Sequence, residues 1–116
     1  MYLLIDLTID EVELAEPTDV HRLHVAVAHG SDRDRVARLL ADTGAGRFVE
    51  GDDDHVWVSR GWLREKAEGR VSGRWSEDFD HLVTKARDHG WLDDSGTHLR
   101  AHVEWIPTDD GGDDVD

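Results

Sequence analysis

The sequence predicts an α+β domain in which helices cover one face of an antiparallel sheet. Three observations carry that expectation. Segments 21–28 and 98–105 alternate apolar and polar residues with the period of a strand, while 31–43 and 76–89 repeat apolar residues at helical spacing. The chain has 116 residues and no cysteine. That is the length of one ordinary domain, long enough to bury roughly two-thirds of its unfolded surface without disulfides.

The elements follow in order. Leu3, Ile5, Leu7 and Ile9 alternate with Leu4, Asp6, Thr8 and Asp10, which predicts an N-terminal strand over 3–9. Val12 and Leu14 have the opposite parity, so either a bulge shifts the register near Asp10 or the strand ends there. Pro17-Thr18-Asp19 is turn chemistry. In 21–28, Leu23, Val25 and Val27 share one face and Arg22, His24, Ala26 and Ala28 the other. Ser31 with Asp34 reads as a helix start, Val36, Leu39, Leu40 and Thr43 as an apolar stripe, and Gly44 as its stop. Segments 47–50 and 55–59 read as a hairpin around Gly51-Asp52-Asp53-Asp54. Ser59 caps a short helix through Trp62, Leu63 and Ala67. Ser76 caps a longer one whose inner side is Phe79, Leu82, Val83 and Ala86, with Gly90 as its stop and Trp91 packed behind. In the last strand Leu99, Ala101, Val103 and Trp105 face the core, and His98, Arg100, His102 and Glu104 face away.

From His21 onward this order is β-α-β-β-(short α)-α-β, which predicts a ferredoxin-like antiparallel sheet (βαββαβ) with two main helices on one face and an extra N-terminal strand. In that topology strand 21–28 already has two neighbours, so the N-terminal strand must take an edge or change the strand order. Residues 1–107 form the single expected domain. Residues 108–116, rich in Asp and Gly, are expected to be a disordered acidic tail.

The formal charge is −14, from 27 acidic and 13 basic side chains. Such a balance argues against direct contact with nucleic acid, whose binding draws on Lys and Arg, and leaves a basic protein partner open. Eleven of the basic residues are Arg, and Asn, Gln and Cys are absent. That bias fits heat adaptation or genome composition equally well. No apolar run reaches the roughly 20 residues of a membrane span, and the start lacks the basic region of a signal peptide, so a cytoplasmic protein is expected.

An uncovered sheet face is where function is sought. There His24, Ala26 and Ala28 lie beside His98, Arg100, His102 and Glu104. Residues two apart along a strand are about 6.6 Å apart and residues four apart about 13 Å, so His98 and His102 do not share one ion. His102, Glu104 and a cross-strand His24 converge only in one register, where they would suit a metal or general acid–base work. The blander reading is a solvated or subunit-facing surface, with Ala26 and Ala28 small enough to admit another layer. The acidic 50–54 loop lacks the alternation of a calcium loop. Trp91 and Trp105 are expected in the core, Trp57 on the open side, and the Trp62/Trp75 pair at the rim of any pocket. No phosphate-binding loop, dinucleotide fingerprint, nucleophile elbow or zinc-protease motif is present. The expectation is a non-catalytic acidic domain, without cofactor, acting as a homodimer or by binding a protein partner through surfaces that include Trp57, Trp62, Trp75 and Arg100. The alternative is a His24/His102/Glu104 site acting on a small molecule.

Overall fold

A computed structural model describes residues 1–106, so the acidic tail expected at 108–116 lies outside the described residues. Six strands and three helices are present: β1 Tyr2–Asp6, β2 Glu11–Ala15, β3 His24–Ala28, α1 Arg33–Thr43, β4 Gly46–Val49, β5 Asp52–Ser59, α2 Arg60–Ala67, α3 Trp75–Asp88 and β6 His98–Trp105. The sheet runs β2-β1-β3-β6-β5-β4.

The N-terminal alternating segment resolves into a hairpin. β1 ends at Asp6, whose carboxylate accepts the Thr8 amide at 2.9 Å, and Asp10 takes a left-handed φ of 53°. The chain then returns as β2, antiparallel, with Leu3 opposite Leu14 and Ile5 opposite Val12. Val12 and Leu14 therefore belong to the same buried face as Leu3 and Ile5, with no bulge required. Ile9, expected on that face, sits in the turn and is 56% exposed.

The antiparallel ferredoxin-like arrangement is not confirmed. It would place β3 between β6 and β5. Instead β6 lies between β3 and β5, and β3 runs parallel to both of its neighbours, β1 and β6. The physical reason is the β1–β2 hairpin, which takes the other edge of β3. Alternation fixes which face a strand buries, and it is silent on which strand lies alongside.

The inward parity holds throughout. Val25 and Val27 of β3, Leu99, Ala101 and Val103 of β6, and Val56 and Val58 of β5 form one core with Val36 and Leu40 of α1, Trp62 and Leu63 of α2, and Phe79, Val83 and Ala86 of α3. All three helices thus fill the same side of the sheet. The sheet curls around them far enough for α1 to touch both edge strands, β2 and β4. Among the described residues no helix packs on its outer face.

Helix ends follow the sequence with two shifts. Asp32 rather than Ser31 caps α1, accepting the Arg35 amide at 3.2 Å, while Gly44 closes the helix at φ 77° as the glycine signal implies. Ser59 caps α2 through the Trp62 amide at 3.2 Å. α3 starts one residue before Ser76 and has no side-chain cap. The Ser76 hydroxyl accepts from Arg64 instead, at 3.1 Å. The β4–β5 turn is shorter than expected, because Val49 pairs with Asp52 and only Glu50-Gly51 form the loop. Trp91 is not a core residue: it is 40% exposed, its ring stacked on His89 at 4.5 Å. Trp105 is half-buried against the core edge and donates its indole N–H to the Asp53 carbonyl at 3.3 Å.

Candidate functional site

The outer face is laid out by the register. His24 of β3 stands opposite His102 of β6, and His102 stands opposite His55 of β5. On the far side Tyr2 of β1 pairs with His24, the two rings stacked at 4.8 Å. Four rings therefore cross four strands in one row. His55 and His102 meet edge to face at 5.7 Å between centroids. One pleat further along, Leu4, Ala26 and Glu104 form the next row. In the opposite direction Arg100, Trp57 and Arg47 form another.

The structure thus brings His24 and His102 together on one face, and places Glu104 opposite Ala26 rather than between the imidazoles. Among the described residues no group of three or more His, Asp or Glu is arranged to hold a metal ion. Trp57 is half-buried on the outer face between two arginines. Trp62 and Trp75 lie inward, 4% and 7% exposed, and Trp75 lines a shallow depression with Arg64, Val71 and Ser76. The Trp75 indole donates to the Pro17 carbonyl at 2.6 Å, whereas the buried Trp62 N–H has no acceptor among the described residues.

His55, like Tyr2, is a member of the row that sequence reasoning missed. Its parity, opposite to the buried Val56 and Val58, is the signal that would have found it. Asp52, the first residue of the same strand, accepts from His55 Nδ1 at 2.9 Å and from the Asp54 amide at 2.8 Å. The Asp54 amide bond, followed by the His55 contact and the charge of Arg100, outweighs the opposing effect of burial and holds the Asp52 carboxyl below its ordinary range. A carboxylate on Nδ1 fixes the proton there and leaves Nε2 free to take up a proton, the arrangement acid–base chemistry uses.

At the other end, Asp93 organises the turn before β6. One of its carboxylate oxygens accepts the Thr97 and His98 amides at 3.0 and 3.1 Å; the other lies 3.4 Å from the Arg47 guanidinium and 3.3 Å from His98 Nδ1. Burial pushes this carboxyl up, yet the His98, Ser95 and Thr97 bonds prevail and hold it low. His98 is pushed below its ordinary value by burial and then by Arg47, against the pull of Asp93.

A cleft of about 330 Å³ opens beside the row. It exists because β3 begins at His24, opposite His102, leaving the first half of β6 without that neighbour. Leu92 bridges to Leu99 there, and the Arg100 amide donates to the Trp91 carbonyl at 2.7 Å. The gap between this segment and residues 21–23 is closed below by Leu82 and Ala86 of α3, and His55, Arg100 and His102 line its outer side.

No family model, curated protein or solved structure matches the chain. The class that the geometry defines is an α+β domain with a curled, mixed six-stranded sheet around three helices. No helix among the described residues is long and apolar enough to cross a membrane.

Proposed function

We propose that the chain is a non-catalytic binding domain whose contact surface is the outer face of the sheet, and that its first partner is a second copy of itself. The observation that supports this reading is the charge order along β6. Its outward residues run Arg100, His102, Glu104, from positive to negative, on a face that no helix covers among the described residues. Two such strands laid face to face in opposite directions, about a twofold axis through the His102 row, set each Arg100 against the other copy's Glu104. Sheets stack about 10 Å apart, the reach of an Arg and a Glu side chain meeting end to end. Ala26, 3% exposed and directly beside Glu104, keeps the centre of the face low.

The curl confines contact to the central strands. Four strands at about 4.8 Å and five residues at about 3.3 Å give a patch of roughly 300 Å² per copy, the size of a transient interface. The dimer is therefore weak, with a dissociation constant in the micromolar range or above. Sedimentation equilibrium tests it. Arg100→Glu and Glu104→Arg each remove association, and the double exchange restores it because the order is again self-complementary. A chain that stays monomeric at millimolar concentration, or single exchanges that leave the dimer intact, would overturn the proposal.

A basic protein partner is the second reading, favoured by the formal charge of −14. Its binding weakens steadily with salt and survives the double exchange no better than either single one. The acid–base alternative draws on the Asp52–His55 pair beside His102. Turnover of a small molecule that is lost in His55→Ala would replace the binding reading.

A further inference from the structure

We infer that the cleft between α3, β6 and residues 21–23 is a binding site for a small organic monoanion, a carboxylate carried on an aromatic or branched apolar body. This does not rest on self-association.

The charge of the lining departs from that of the chain. Acidic side chains outnumber basic ones 27 to 13 overall. Yet the cleft is lined by Arg22, Lys85 and Arg100 and by three imidazoles, with no carboxylate. Among the described residues none of the three cations has a carboxylate within 4.0 Å, although Arg33, Arg35, Arg47 and Arg64 all do. Unpaired cations facing one concavity concentrate positive potential in it, more so where low-dielectric walls focus the field. Asp78 stands in the adjoining depression with His81, outside the cleft itself.

The floor supplies the second half of the argument. Leu23, Leu82, Ala86 and Leu99 are apolar, and Trp91 leaves 40% of its surface exposed at the edge. An indole kept in water costs free energy that a stacked ring recovers. His89 packs against Trp91 at 4.5 Å and steadies it. A bare inorganic anion leaves this surface wet, whereas an apolar body covers it. The volume, about 330 Å³, is at the small end of ligand pockets, which suits a compound of on the order of ten to fifteen heavy atoms.

The helix decides the head group. α3 turns its C-terminal half, with Leu82, Lys85 and Ala86, toward the cleft. That end carries the negative pole of the helix dipole, so no ring of amide donors awaits a phosphate there. Lys85 and Arg22 offset that pole for one negative charge; Arg100, the third cation, stands on the outer side of the cleft with His55 and His102.

Titration followed by calorimetry and by the Trp91 indole N–H resonance tests the site, with benzoate, phenyl phosphate, inorganic phosphate and benzyl alcohol as probes. Benzoate binds and shifts the Trp91 signal; benzyl alcohol and inorganic phosphate bind at least about tenfold more weakly, a difference of about 1.4 kcal/mol. Lys85→Met and Trp91→Ala each weaken benzoate at least tenfold. Both positions are exposed, and an unchanged far-ultraviolet dichroism spectrum shows that the fold persists. Equal binding of benzoate and benzyl alcohol, or benzoate binding indifferent to both variants, would overturn the site. Tighter binding of phenyl phosphate than of benzoate would overturn the carboxylate assignment.

Discussion

Replacing Asp93 tests whether one carboxylate sets the start of β6, and with it the rows of the outer face. In Asp93→Ala the Thr97 and His98 amides lose their acceptor, along with the Ser95 hydroxyl. Hydrogen bonds to a charged group contribute about 1.5–3 kcal/mol each when buried. Thr97 is exposed and its amide recovers water, whereas His98 is half-buried and recovers less. The expected loss is therefore about 2–3 kcal/mol, or roughly 10–20 °C in melting temperature for a domain of this size. Asp93→Asn keeps an oxygen that accepts both amides, now as neutral bonds of about 0.5–1.5 kcal/mol each, and gives up the second oxygen's contacts to Arg47, Ser95 and His98. The Arg47 side chain is 55% exposed, so that ion pair is worth little, and the asparagine variant loses about 1–2 kcal/mol, less than the alanine one. Chemical denaturation of the three proteins separates the two contributions. An asparagine variant as unstable as the alanine one would refute the argument, because the charge rather than the turn would then be holding β6.

Other outcomes follow from the same structure. Gly46→Ala places a methyl 2.1 Å from the Trp57 carbonyl oxygen, so β4 must leave its partner; a loss of about 3 kcal/mol or more is expected, with faster amide exchange in β4. Gly44→Ala meets nothing within 4 Å and carries only the left-handed penalty, about 1 kcal/mol. Trp75→Phe removes the bond to Pro17 and costs about 1–3 kcal/mol, whereas Trp62→Phe discards a donor that has no acceptor among the described residues and costs less; thermal melts rank them. Stability falls as pH drops below 6.5, since the folded state holds His98 below that ordinary value while the unfolded chain takes up the proton. It falls again below 3.8, where the unfolded chain protonates carboxyls that the fold keeps ionised at Asp93 and Asp52. His98→Gln flattens the upper part of that curve only.

The sequence was most informative where a physical rule has a fixed period. Alternation placed Val25, Val27, Leu99, Ala101 and Val103 inward, and thereby His24, His102, Arg100 and Glu104 outward, as observed. It failed at neighbours. Nothing in 2–15 distinguishes a seven-residue strand from a hairpin except the turn at Thr8–Asp10, where Asp6 bonds forward and Asp10 turns left-handed. Once that hairpin forms, its inner strand takes the edge of β3 and the ferredoxin-like order is displaced.

Trp91 shows the same limit from the other side. A tryptophan just after a glycine helix stop reads as a residue packed back on its helix, and its amide does bond back to Ala86 at 2.7 Å. The ring goes elsewhere because the chain is immediately drawn against β6 by the Leu92–Leu99 bridge. That bridge occupies the place which a longer β3 would have filled. The cleft and its exposed indole are thus one consequence of a strand that starts at His24 rather than at His21.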